Sequence, residues 1–149
     1  MKVSKDPGDL IITHSLGPCI GVVLRDPVSK ASGLLHFQLS ASKGHEAKAQ
    51  THPYMFADTG IPALFSAVER IGGSKNRWEV SIFGGASMLK DDEVFKIGVK
   101  NSRAAKKLLW QACMTIKYED VGGTSSRTVG IEVDTGNIRL HKDGKVYIF

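Results

Sequence analysis

Apolar positions recur along the chain with two different periods, and the places where the period changes outline the fold. "LIITH" and "CIGVVLR" are short β-rich runs separated by the tight "SLGP". "GLLHFQL" alternates, with Leu35, Phe37 and Leu39 on one face and His36 on the other. From Ile61 the spacing becomes helical through Leu64, Phe65, Val68 and Ile71, with Pro62 in the first turn and Gly72-Gly73 ending the helix. "WEVSIFGGAS" reads as a strand closed by a glycine turn. A second helix is predicted from about Ser102, its stripe formed by Ala105, Leu108, Leu109, Ala112 and Ile116 with Cys113 packed beside it. The remainder is hairpin-rich: "TVGIEVD" alternates through Val129, Ile131 and Val133, "DTGN" leads into "IRLH", and "KDGK" carries the Asp-Gly pair of a tight hairpin before "VYIF". "SASKGHEAKAQTHP" reads as one long polar loop. The strands cluster at both ends around two principal helices rather than alternating with them, which predicts an α+β fold and not a doubly wound parallel sheet.

Composition narrows the class without changing this outline. The 149 residues suit one domain spanning 1–149, with no repeat or linker to divide them. Hydrophobic residues at 42% and charged residues at 23% are ordinary for a soluble globular protein. No apolar run approaches the roughly 20 residues of a spanning helix, and "MKVSKDPGDL" holds no signal-peptide core, so a cytoplasmic protein without membrane insertion is expected. Two cysteines are too few for a disulfide framework and are read as free thiols. The net charge of +5 suits an acidic partner. Its basic residues are scattered, with no arginine-aromatic ladder, so nucleic acid is not expected. His14, His36, His45, His52 and Cys19 have metal-ligand chemistry but not metal-ligand spacing, and "FGGA" and "VGGTSSR" read as turns rather than phosphate loops. No metal or cofactor is expected.

What remains is the relation between Cys19 and His36. If Asp26 to Ser29 form a four-residue hairpin loop around Pro27, Arg25 pairs with Lys30, and antiparallel counting sets Cys19 directly across from His36. Directly opposed residues have Cβ atoms roughly 5 Å apart on one face. A free thiol with a pKa near 8.5 needs a neighbouring base to become a usable nucleophile, and an imidazole supplies one. That imidazole needs a third group to set its tautomer, and Thr13 on the preceding strand is the candidate. Backbone N–H groups around Cys19 could bind an oxyanion, although Pro18 contributes none. Such a site predicts that an alkylating reagent reaches Cys19 well before Cys113.

Six blocks in order, "THSLGPCIGVVLRD", "GLLHFQL", "YMFADTGIPALFSAV", "FGGASM", "IGVKN" and "DVGGTSSRTVGIEVDTGNI", resemble the chemoreceptor glutamine deamidases of the CheD family of bacterial chemotaxis, from about Leu10 to Ile138. The resemblance implies two packed mixed β-sheets flanked by helices, similar to the catalytic domain of cytotoxic necrotizing factor toxins. It implies a cysteine-dependent hydrolase that converts glutamine side chains in the cytoplasmic domain of methyl-accepting chemoreceptors to glutamate, releasing ammonia. The family's catalytic Thr, Cys and His match Thr13, Cys19 and His36 in type and spacing. A CheC-type phosphatase is the second partner it implies.

The sequence departs from the family where Pro18 stands in place of the usual serine before the nucleophile, and where "HFQLS" and "SSRT" replace the usual segments. Two readings stay open on the sequence. One is the Cys-His-Thr deamidase; the other is a chemotaxis adaptor that docks to a receptor or phosphatase with weak or no catalysis.

Overall fold

The computed structural model describes residues 1–87 and 92–149, the side chains of 92–96 excepted. Met88, the last residue of the "FGGASM" block, lies outside the described residues. In chain order the elements are β1 (Lys2–Ser4), β2 (Leu10–Leu16), β3 (Ile20–Arg25), β4 (Ser32–Phe37), α1 (Glu46–Thr51), α2 (Ala57–Arg70), β5 (Glu79–Gly84), α3 (Asp92–Gln111), β6 (Ile116–Val121), β7 (Arg127–Glu132), β8 (Ile138–Lys142) and β9 (Lys145–Ile148). They build the expected α+β architecture from two sheets. One has the strand order β1-β4-β3-β5-β6 and is mixed, because β5 and β6 run parallel across α3. The other, β2-β7-β8-β9, is antiparallel throughout and so not mixed as the resemblance implied.

The five-stranded sheet is the middle layer. Its helix-facing side, with Val22, Leu24, Leu35, Phe37, Val80 and Ile82, packs on Ile61, Leu64 and Val68 of α2 and Ala105 and Leu109 of α3. Its other side, with Val23, Leu34 and Phe83, packs on Ile11, Leu16, Val129, Ile131 and Leu140 of the second sheet. Burial on both faces explains why "IGVVLR" is a continuous apolar run, whereas β8, wet on one face, alternates buried and exposed residues. The hairpin at Asp143-Gly144 has both residues at positive φ, 52° and 72°, the backbone of the tight turn its sequence predicts.

Several boundaries differ from the sequence expectation. Helix α2 starts at Ala57, so Pro62 lies inside it on the exposed face and not in the first turn. Its N-cap, Phe56, makes no side-chain cap; the Ala57 N–H instead donates to Leu39 O at 2.8 Å, a tertiary cap that leaves no local signal. Helix α3 starts at Asp92, ten residues before Ser102, and contains Gly98, where a Cβ would sit 2.6 Å from Gly85 O. A glycine at this position permits the close approach of α3 to the chain after β5. Ile116 belongs to β6 and not to the helical stripe, because α3 ends at Gln111 and the chain reverses through Cys113 at φ 60°. Cys113 is consequently exposed and is not core packing. The long polar loop contains the single turn-and-a-half of α1, which buries no side chain.

The β3–β4 register also differs. Arg25 pairs with Ser32 and not with Lys30, and the Asp26 N–H donates to Ala31 O at 2.9 Å, so the four-residue loop is Pro27–Lys30, closed by Lys30 at φ 60°. The cause is the Asp26 side chain, which is fully buried. Its carboxylate accepts from the Val28 N–H at 2.9 Å, the Ser74 N–H at 2.9 Å, and Arg77 Nε and Nη2 at 3.0 and 2.6 Å. That anchor pulls Asp26 into the ladder. The Arg77 guanidinium, ahead of the backbone donors and against desolvation, holds this carboxyl well below the usual carboxylate range.

Replacing Asp26 with Ala removes several charge-assisted hydrogen bonds while leaving Arg77 able to reach water, so a loss of about 2–3 kcal/mol is expected from urea denaturation with an unchanged slope. Because the folded-state pKa is depressed, this contribution is present at neutral pH and is lost as pH falls below about 4, the unfolded carboxylate value. The variant should therefore lose less stability than the wild type on acidification over that range.

Candidate active site

The site grows out of the alternation of β4. Leu35 and Phe37 face the helices, so Leu34 and His36 face the second sheet. On that sheet Ile11 and Thr13 point inward from β2, and Thr13 Oγ1 lies 2.8 Å from His36 Nδ1. The hydrogen bond crosses from one sheet to the other. If Nδ1 carries the proton it donates to Thr13 Oγ1 and leaves a lone pair on Nε2, the tautomer a base requires. Nε2 is buried and has no hydrogen-bond partner among the described residues. Burial, and to a lesser degree the positive N-terminus, pushes the His36 pKa below its ordinary value, so the ring is neutral at pH 7.

Cys19 sits in the bend between β2 and β3, at the edge of the middle layer. Gly21, not Cys19, is directly opposite His36. The register is displaced by two residues from the expected one, and Cys19, one residue before β3, packs against the core shared with the second sheet, the side that His36 faces. In a regular ladder diagonal neighbours stand about 7–8 Å apart, against about 5 Å between opposed Cβ atoms, so a residue two positions off register is no longer in direct contact. The structure therefore brings Thr13 and His36 together, and leaves Cys19 beside them without a hydrogen bond to Nε2. Cys19 is half-buried, and desolvation raises its thiol pKa, with its own backbone N–H partly opposing that rise. The resting pair is a thiol and a neutral imidazole.

The bend that carries Cys19 is held by residues distant in sequence. A bulge at its start, with Ser15 at φ 57°, adds one residue to β2 and turns Leu16 into the core. Gly17 O accepts from the Ala86 N–H and Cys19 O from the Gly85 N–H, both at 2.8 Å. Gly84, at φ 115°, permits this: a Cβ there would lie 2.2 Å from Cys19 O. The "FGGA" segment is thus a turn, as expected, and also the seat of the thiol-bearing bend. Asn101 of α3 is 1% exposed, and its Nδ2 donates to Pro18 O at 3.0 Å and to Gln38 O at 2.7 Å. Sequence reasoning gave Asn101 no role. Its only signal was membership of the "IGVKN" block.

A groove of about 300 Å³ opens beside His36, walled by Gln38, Thr51, His52, Pro53, Tyr54 and Met55. The short α1 segment that reads as loop forms part of this wall. A separate cavity of about 220 Å³ lies between the sheets near Arg25 and Tyr118, at the far end of β3, and touches none of these residues. Among the described residues no group of three His, Cys, Asp or Glu side chains is arranged to hold a metal ion. No helix among them is long and apolar enough to cross a membrane.

A family model described as CheD chemotactic sensory transduction matches residues 38–142, a range that begins just after His36. Over longer spans the chain is 43% identical to a probable chemoreceptor glutamine deamidase CheD 1 of Syntrophus aciditrophicus, covering 96% of this chain and 89% of that protein. It is 41% identical to a probable chemoreceptor glutamine deamidase CheD of Solibacter usitatus, covering 97% and 85%, and 39% identical to one of Pyrococcus horikoshii, covering 92% and 86%.

The two thiols differ in access, and the order is the reverse of the sequence expectation. Cys113 is exposed, whereas Cys19 is half-buried and held protonated. Iodoacetamide at pH 7 should modify Cys113 first, read by mass spectrometry of tryptic peptides. Faster modification of Cys19 would show that its thiolate is already populated at rest.

Proposed function

The chain belongs to the CheD family, and from that premise we propose that it hydrolyses glutamine side chains of chemoreceptors to glutamate with Cys19 as nucleophile, His36 as general base and acid, and Thr13 holding His36. The observation that carries this reading is the 2.8 Å contact between Thr13 Oγ1 and His36 Nδ1, with Nε2 unpartnered among the described residues and Cys19 packed against the same inter-sheet core.

The chemistry proceeds in two halves. A rotamer change of Cys19 brings Sγ to Nε2, which takes the thiol proton as the sulfur attacks the carboxamide carbon. The carbonyl electrons move to oxygen, and the Cys19 N–H is placed to stabilise the oxyanion. Collapse of the tetrahedral intermediate expels ammonia, which receives its proton from His36, and leaves a thioester. Water then loses a proton to Nε2 and attacks the thioester. The second intermediate releases glutamate, and the proton returns from His36 to the sulfur. A ring held neutral suits this sequence, because it must accept a proton before it can give one. The site is expected in the cytoplasm, where the receptor domain that carries the glutamines would lie.

A second role, docking to a CheC-type phosphatase, has one observation in its favour. Burial keeps the Cys19 thiol protonated and no hydrogen bond joins it to His36, an arrangement compatible with a fold kept for binding.

Ammonia release from a chemoreceptor cytoplasmic fragment separates the two. Cys19→Ala and His36→Ala should fall to background, and Thr13→Val should lose about 10-fold to 100-fold in kcat with KM little changed, since it misplaces the base and not the substrate. Because burial depresses the His36 pKa, kcat/KM should decline on acidification with a midpoint below that of a free imidazole. Equal ammonia release from wild type and Cys19→Ala would eliminate the enzyme reading.

A further inference from the structure

We infer that Asn101 is a positioning residue for the proposed deamidation: its amide fixes the Pro18–Cys19 peptide plane so that the Cys19 N–H faces the reacting sulfur, where the oxyanion forms. The inference rests on the deamidase reading of Cys19 and concerns how that site is held ready.

Three consecutive carbonyls of the bend are fixed by donors behind it. Gly17 O accepts from Ala86 N–H, Pro18 O from Asn101 Nδ2, and Cys19 O from Gly85 N–H, at 2.8, 3.0 and 2.8 Å. The first and third donors are backbone groups of the β5 turn. Only the middle one is a side chain, and it acts on the peptide that contains the Cys19 N–H. In a trans peptide the C=O and N–H point in opposite directions, so turning Pro18 O toward α3 turns the Cys19 N–H away from it. Proline supplies no N–H of its own, which makes the Cys19 amide the first donor next to the sulfur. That amide also partly opposes the rise that desolvation causes in the Cys19 thiol pKa.

The same Nδ2 also donates to Gln38 O at 2.7 Å, two residues beyond His36. One amide therefore ties the nucleophile's bend to the strand of the base. Two carbonyl acceptors also settle which end of the side chain is nitrogen. Its Oδ1 is buried and unpartnered among the described residues, a cost that an apolar residue of similar shape would avoid. The retained amide is explained by its two donors.

The test uses Asn101→Leu, which matches the volume without a donor, and Asn101→Ser, which keeps one short hydroxyl, both in a Cys113→Ser background. Two quantities are read on folded protein: kcat and KM for ammonia release from the receptor fragment, and the pH midpoint of Cys19 alkylation by iodoacetamide. Expected are a kcat lower by about 10-fold to 100-fold in the Leu variant and less in the Ser variant, with KM within about 2-fold. The Cys19 midpoint should move to higher pH, because the thiolate loses an oriented N–H. Should the Leu variant fail to fold, the Ser variant carries the same two readings. Wild-type kcat and midpoint in either folded variant would overturn the inference, and so would lost activity with an unchanged midpoint, which a merely structural role would give. Absence of ammonia release from the wild type would count against the deamidase reading alone, since the alkylation midpoint reports on the Cys19 peptide without turnover.

Discussion

The hydrogen bond between Thr13 and His36 spans two sheets, and its length is set by everything packed around it. Face-to-face sheets stand about 10 Å apart when apolar side chains from both interdigitate. Here Ile11, Leu16, Val129, Ile131 and Leu140 on one side and Val23, Leu34 and Phe83 on the other fill that space. A polar ring in such a layer needs a partner that reaches from the opposite sheet, and a threonine on the neighbouring inward position of β2 is short enough to fit and polar enough to satisfy one ring nitrogen. The other nitrogen has no partner among the described residues. The site is thus a local departure from an apolar layer, supported by the regularity of the rest.

The same layer explains the resting protonation states. Desolvation acts on thiol and imidazole in the same direction, toward the uncharged form, raising one pKa and lowering the other. With the two groups diagonal and not opposed, no ion pair forms to counter it. A neutral thiol is less prone to oxidation and indiscriminate alkylation than a thiolate.

Much of this was legible in the sequence because it follows from period. The alternation in "GLLHFQL" fixed the face of His36, "LIITH" put Thr13 on the preceding strand as its candidate partner, and the helical spacing from Ile61 located α2. A register difference of two residues set Gly21 and not Cys19 opposite His36 and left Cys19 in the bend before β3. What was not legible depends on contacts far apart in the chain. Asp26 sets the hairpin through Arg77 and Ser74, some fifty residues on. The start of α2 is capped by Leu39, and Gly98 looks like a helix breaker until Gly85 is seen against it. Neither β1, three residues long, nor β6, with its charged "KYED", carries an apolar run of its own, and both are strands because a neighbour offers an edge.

The bend that carries Cys19 has a temporal side as well. Its carbonyls are received by Gly85, Ala86 and Asn101, and the Pro18–Asn101 contact closes a separation of 83 residues. Contacts of such long range form late, after the loop they close has been ordered. During synthesis the thiol leaves the ribosome long before β5 and α3 exist to seat it. An unfinished or truncated chain therefore bears an ordinary cysteine, and competence at this position arrives only as maturation of the whole chain nears completion.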